Sequence, residues 1–237
     1  MYMNMKRVSK IGLCLVSALA LNVFAQSDWA GKDLNVSFSN KRIDGFNFKN
    51  AKAVAHTTDF RRATGESPNF SGAKLDEVSF QNAVISNANF ENASLVKATI
   101  SGADIRSSSF EGANMQEANL YRATLLDSQF PKANLKNARL DAMKVSDKTD
   151  FSKADLTQAS VMDVDLTAAD FNKANLTNAN FSRSLMANSD LRKTTLVKTD
   201  FTACNLIAAN FKGVDLIEVN FAKAGLSQAN FSGAEFK

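Results

Sequence analysis

The sequence predicts an all-β fold, a four-sided solenoid running from Phe38 to Lys237, and three observations predict it. A large apolar residue recurs at every fifth position over most of the 237-residue chain. The residue two places before it is nearly always small, and the one between them is usually Asn or Asp. The identity of the large residue itself repeats every twenty positions, as four sides of five residues require.

The five-residue register runs unbroken from Phe70 to Val145, shifts by one residue, and resumes from Phe151 to Phe236. An earlier, weaker register runs Phe38, Ile43, Phe48, Ala53, then slips by two residues to Phe60 and Gly65. Small residues such as Ala73, Ala93, Ala154, Cys204 and Ala229 precede the large ones, with Asn89, Asn114, Asp155, Asp200 and Asn230 in between. Small, polar, large is the alternation of a strand with one buried face. A strict spacing of five walks around a helix without forming a stripe, which excludes an amphipathic helix.

Folded into coils of twenty, the sequence sorts into four columns. The first side reads Phe48, Phe70, Phe90, Phe110, Phe130, Phe151, Phe171, Leu191, Phe211, Phe231; the third reads Phe38, Phe60, Phe80, Ile100, Leu120, Leu140, Val161, Phe181, Phe201, Phe221. The second side, with Leu75, Leu95, Met115 and Leu135, and the fourth, with Ile85, Ile105, Leu125 and Met186, are mainly aliphatic. Like rings are thus expected to stack along the axis. The slips keep the columns, because Phe48 to Phe70 is 22 residues and Phe130 to Phe151 is 21. Corner loops are therefore expected near 54–58 and 146–149. Ten coils at a spacing of about 4.8 Å would make a rod about 45–50 Å long. Gly65 stands where a column expects an aliphatic residue and reads as a turn or bulge.

At this point the chain resembles the pentapeptide-repeat family, whose pattern A-(D/N)-(L/F)-X-X stands here as Ala154-Asp155-Leu156, Ala174-Asn175-Leu176 and Ala229-Asn230-Phe231. The resemblance implies a right-handed quadrilateral β-helix with one pentapeptide per side and four per coil. It implies little about function.

The N-terminus reads as a signal peptide over residues 1–25. Lys6, Arg7 and Lys10 precede an apolar run from Ile11 to Leu21, followed by Val23-Phe24-Ala25, so cleavage would leave Gln26 first. A membrane anchor needs roughly 17–25 apolar residues, more than this run supplies, and a lipoprotein at Cys14 is disfavoured by the bulky Leu13. Residues 26–37 then read as an N-terminal cap segment in which Trp29 and Leu34 cover the first coil. The expected location is periplasmic or secreted, with no transmembrane segment after cleavage. Taking Lys6, Arg7 and Lys10 from the 28 basic residues leaves 25 against 24 acidic, so charge gives no support for a nucleic-acid partner. Only Cys204 remains after cleavage, which excludes an intramolecular disulfide.

No catalytic, cofactor or metal residues are predicted. His56 is the only histidine and falls in an expected corner loop; Cys204 fills a slot that elsewhere holds Ala or Ser; no zinc-type spacing or phosphate-binding glycine loop is present. The information that remains lies on outward positions. Lys132, Lys153, Lys173 and Lys193 form one column, joined by Arg192 and Lys212, beside Asp150, Asp170 and Asp190. It reads either as a self-neutralised face or as an anion-binding strip. Leu185 and Ile207, with Leu126, Ala168, Ala187 and Ala208, mark the least charged face in the second half, with Met162, Val197 and Ile217 on adjoining sides. The repeat reaches Phe236 with no capping helix, so a homodimer through the C-terminal coil is expected. The leading function is a non-catalytic exported scaffold that binds a protein or envelope component. The alternative implied by the resemblance is a DNA-mimicking, topoisomerase-protecting role, which an export signal and near-neutral charge disfavour.

Overall fold

A computed structural model describes residues 27–54 and 56–237. The segment read as a signal peptide lies outside the described residues. Among them there is no helix, and the chain winds as a β-solenoid of about ten turns. Eight short strands stand out: β1 (Asp33–Leu34), β2 (Lys52–Ala53), β3 (Thr64–Glu66), β4 (Val84–Ser86), β5 (Asp104–Arg106), β6 (Leu196–Val197), β7 (Asp215–Ile217) and β8 (Glu235–Phe236). They form three parallel sheets, β1-β2, β3-β4-β5 and β6-β7-β8. Elsewhere the coils are joined by isolated parallel bridges, such as Asn114↔Asn134 and Asp170↔Asp190.

The five-residue unit is explained by where its five backbone N–H groups go, since buried or half-buried donors must be paired. The large residue donates to the next coil, as Leu95 N–H does to the Asn114 carbonyl at 2.7 Å. The polar residue before it donates to the previous coil, as Asn114 N–H does to Ala93 at 2.8 Å. The second residue after the large one donates onward, as Lys97 does to Gln116 at 2.9 Å, and the small residue closes a turn, Ala98 to Leu95 at 3.0 Å. That leaves one donor per unit, directly after the large residue. The Asn or Asp side chain two places earlier accepts it: Asn89 Oδ1 from Glu91 N–H at 2.8 Å, Asp150 from Ser152 at 2.6 Å, Asp170 from Asn172 at 2.7 Å. The recurring Asx position is therefore a side-chain substitute for a missing backbone acceptor.

Nearly every corner turns on a left-handed residue. The second residue after the large one has positive φ, for example Asn87 at 53°, Lys132 at 60° and Asn178 at 56°; after Val145, at the one-residue slip, it is the third, Lys148 at 62°, and Val36 after Leu34 is not left-handed. With the turn hydrogen bond, positive φ at the third residue alone is the type II arrangement. Among the described residues, none of the non-glycine residues with positive φ is Val, Ile, Thr, Leu, Phe, Tyr or Trp, as expected where Cβ crowds the carbonyl. Asn178→Val is expected to cost about 1–2 kcal/mol, with Asn178→Gly close to neutral, by urea unfolding. A Val variant as stable as Asn would contradict the strained corner.

The core is the set of inward columns. From Phe48 to Phe171 the first-side rings lie nearly parallel at 4.7–5.3 Å between centroids. The third-side rings stack likewise, Phe38 on Phe60 at 4.9 Å and Phe60 on Phe80 at 4.8 Å. The two columns also meet edge to face across the core, Phe60 on Phe70 at 5.4 Å and 86°, and Phe70 on Phe80 at 5.6 Å and 88°. Both are favourable aromatic geometries. Phe130 and Phe151 remain stacked at 5.1 Å across the one-residue slip. There Thr149 is buried and its hydroxyl donates to the Ser146 carbonyl at 2.6 Å. At the other slip, Thr57 and Thr58 N–H both donate to Val54 at 3.1 Å.

Two regions depart from the sequence reading. Trp29 and Leu34 do not cover the first coil from outside it. Trp29 N–H donates to Asn47 at 2.7 Å and Leu34 pairs with Ala53 through β1-β2, so both hold column positions one coil before Phe48 and Ala53. Gly65 is neither turn nor bulge. It is an in-register residue of β3, opposite Ile85, and a Cβ on it would lie 2.8 Å from Ile43 Cγ1. The buried Ile43 side chain fills the slot that Gly65 leaves.

Candidate interaction surfaces

The lysine column occupies one corner of the rod, between its first and second sides. Lys132, Lys153, Lys173 and Lys193 are all exposed left-handed corner residues, with φ of 60°, 60°, 64° and 60°. Lys132 pairs with Glu111 at 2.5 Å, and this hydrogen bond, aided by the charge of Lys153, holds the Glu111 carboxyl below its usual range. Lys153, Lys173 and Lys193 form no ion pair with a described residue. The adjacent Asp row does not reach them. Asp150 and Asp170 accept backbone N–H groups, and Asp190 accepts both the Arg192 amide and its guanidinium, which keeps the Asp190 carboxyl below its ordinary range. Of the two readings of this face, self-neutralisation holds for Arg192 and Lys132 but not for the three lysines between and beyond them. Lys212 is exposed, with its backbone N–H on Asn210 at 3.1 Å.

The weakly charged face is smaller than the sequence suggested. Leu185 and Ile207 are exposed by 46% and 42% on neighbouring coils of the fourth side. Val197 and Ile217 follow the second-side column, half a coil away, and so lie on the opposite side of the rod. The sequence reading had placed them on adjoining sides.

His56 is an exposed corner residue with φ of 63°, beside a groove of about 440 Å³ lined also by Asp59, Arg61 and Asp76. Cys204 is buried, its thiol donating to the Phe181 carbonyl at 2.8 Å, and burial pushes its pKa up to about 11. At neutral pH it is a small core residue and a poor nucleophile. Among the described residues, no group of three or more His, Cys, Asp or Glu is placed to hold a metal ion, and no helix is long and apolar enough to cross a membrane. At the C-terminal end Phe221, Leu226 and Phe231 are half-buried and Phe236 is 69% exposed.

The family described as pentapeptide repeat region matches residues 103–181, and that described as pentapeptide repeats (8 copies) matches residues 73–112, 165–202, 184–221 and 199–237. No curated protein matches the sequence. Among solved structures, HetL, a pentapeptide repeat protein involved in heterocyst differentiation regulation from the cyanobacterium Nostoc sp. strain PCC 7120, is 20% identical over 98% of both chains, with a TM-score of 0.46. QnrB1, a plasmid-mediated fluoroquinolone resistance protein, is 14% identical over 89% of both chains, also at 0.46. A pentapeptide repeat protein from the Arabidopsis thaliana thylakoid lumen is 28% identical over 57% of this chain and 69% of its own, at 0.23. The repeat matches run without a gap from residue 73 to residue 237, and on them, with the five-residue coil observed, the chain belongs to the pentapeptide-repeat family of right-handed quadrilateral β-helices.

Proposed function

We propose that the protein is a non-catalytic scaffold, exported from the cytoplasm, that binds a protein or cell-envelope partner along the outside of its rod. The inward side chains are committed to the core columns and the Asx side chains to the backbone, so what can distinguish this rod from another is its outward rows. The observation that carries the reading is the pair Leu185 and Ile207, two large apolar residues exposed on neighbouring coils at positions the repeat does not require to be apolar. Val54, Val84 and Phe236 are also exposed but stand apart from one another, whereas a contiguous apolar patch marks an interaction surface.

The test has two parts. Fractionation of the native host is expected to find the chain outside the cytoplasm, beginning at Gln26. A full-length cytoplasmic chain would end the export reading and return the topoisomerase-protecting role to first place. A photo-crosslinking residue at Ile207 is expected to capture a partner that the same residue at Gln158, on another corner, does not. Equal capture at both positions would remove the face as an interface.

A further inference from the structure

We propose that the corner bearing Lys153, Lys173 and Lys193 is a binding rail for an anionic polysaccharide chain running parallel to the rod axis. The inference rests on reading the rod as a binding scaffold but not on where the protein resides.

The other corners show what this one lacks. At two other corners charges on successive coils alternate in sign and pair: Lys97 with Glu117 at 3.7 Å, Arg183 with Asp163 at 2.7 Å, Lys198 with Glu218 at 3.6 Å. Like charges do stack in the outward rows of the sides, as in Lys52↔Lys74 and Asp150↔Asp170, but there the Asp carboxylates accept backbone N–H groups. Like charges on neighbouring strands destabilise a sheet. Yet Lys153, Lys173 and Lys193 follow one another on consecutive coils, about 4.8 Å apart along the axis, with no ion pair to a described residue. The backbone does not ask for lysine there. Left-handed corners favour Asn and Gly, and Asn92, Gly112 and Gly213 hold the same corner on other coils. A row of mutually repelling cations kept where smaller residues would be easier is a row that a ligand neutralises.

The surroundings choose among polyanions. A planar anionic membrane laid on the first side would meet the row Asp150, Asp170 and Asp190 as well as the lysines, and would be repelled by it. A thin chain lying along the corner edge meets the lysines alone. Single-stranded nucleic acid needs aromatic platforms for its bases, and the rings of the first side are buried in the core. Next to the lysines stand instead the Ser152 hydroxyl and the Asn172 amide, which suit the hydroxyls of a sugar chain.

Binding of the purified chain to polygalacturonate and to dextran sulfate, with neutral dextran as the reference, tests the proposal. The triple variant Lys153→Gln, Lys173→Gln, Lys193→Gln is expected to bind at least tenfold more weakly and with a shallower salt dependence; Gln158 and Gln228 show that glutamine takes the corner conformation. The charge-matched triple Lys97→Gln, Lys136→Gln, Lys198→Gln, whose lysines are paired with carboxylates, is expected to bind within about twofold of wild type on counterion-release grounds. The proposal is overturned if wild type binds neither polymer, if both triples lose affinity equally, or if phosphatidylglycerol vesicles or a single-stranded oligonucleotide bind more tightly than the glycans. Partner capture at Ile207 would survive any of those outcomes, so the scaffold reading fails or stands separately.

Discussion

Phe70→Ala is expected to lower the unfolding free energy by about 3–5 kcal/mol, the range for removing a large buried aromatic side chain. Phe70 is fully buried and touches four rings: Phe48 and Phe90 face to face at 4.7 Å, and Phe60 and Phe80 edge to face at 5.4 and 5.6 Å. A coil cannot collapse into the void, because its height is fixed by hydrogen bonds to the coils on either side, Phe70 N–H to Asn89 and Asn69 N–H to Phe46. Phe70→Leu should cost less, about 1–2 kcal/mol, since Leu191 already stands in the same column between Phe171 and Phe211 and is itself buried. Urea unfolding followed by circular dichroism measures both. An alanine variant that loses under about 1 kcal/mol would mean that the ring columns are not what holds the N-terminal coils together.

The second large effect is expected at Gly65. Gly65→Val should destabilise by about 1–3 kcal/mol through overpacking, because the first added carbon would already meet Ile43 Cγ1 at 2.8 Å and the Ile43 backbone carbon at 3.1 Å. Ile43→Ala alone should cost about 2–5 kcal/mol through the cavity it opens. The double variant is expected to be more stable than the sum of the two, since the column slot is then filled from the other coil; neighbours that share a space couple in this way. The backbone contact limits the recovery, so the double variant stays below wild type. Simple additivity would show that the glycine is there for another reason.

Most of the architecture was legible in the sequence because the repeat is strict. One wrong register would have broken the Phe columns, and the two slips, at 53–60 and 145–151, were readable as the insertions that keep them intact. What escaped was set by interactions that a spacing does not encode. Gly65 looked like a turn because nothing in its own pentapeptide says that Ile43, a coil earlier, fills its place. Trp29 and Leu34 were read as a cover for the first coil, whereas the backbone ladder runs through both. The left-handed corners had a signal that went unread: among the described residues, none of the positions with positive φ holds Val, Ile or Thr. The lysine column could be found by counting, but its pairing could not. That depends on Asp150 and Asp170 turning to the backbone, which only the orphan N–H after each large residue explains.

The insensitivity of the ladder to length has a kinetic consequence. Every coil bonds to a residue about one turn away, 19 to 22 positions along the chain, as in Asp28↔Asn47, Arg42↔Thr64 and Asn210↔Asn230. The mean separation of contacting residues therefore does not grow as coils are added, and the relative contact order is roughly 0.1, nearer to helical bundles than to β-sandwiches. Once one pair of coils has closed, each further coil pays a loop-closure cost of the same size and gains the same ladder. This all-parallel protein is thus expected to fold by winding outward from a nucleus, at a speed set by that first pair and not by the length of the rod.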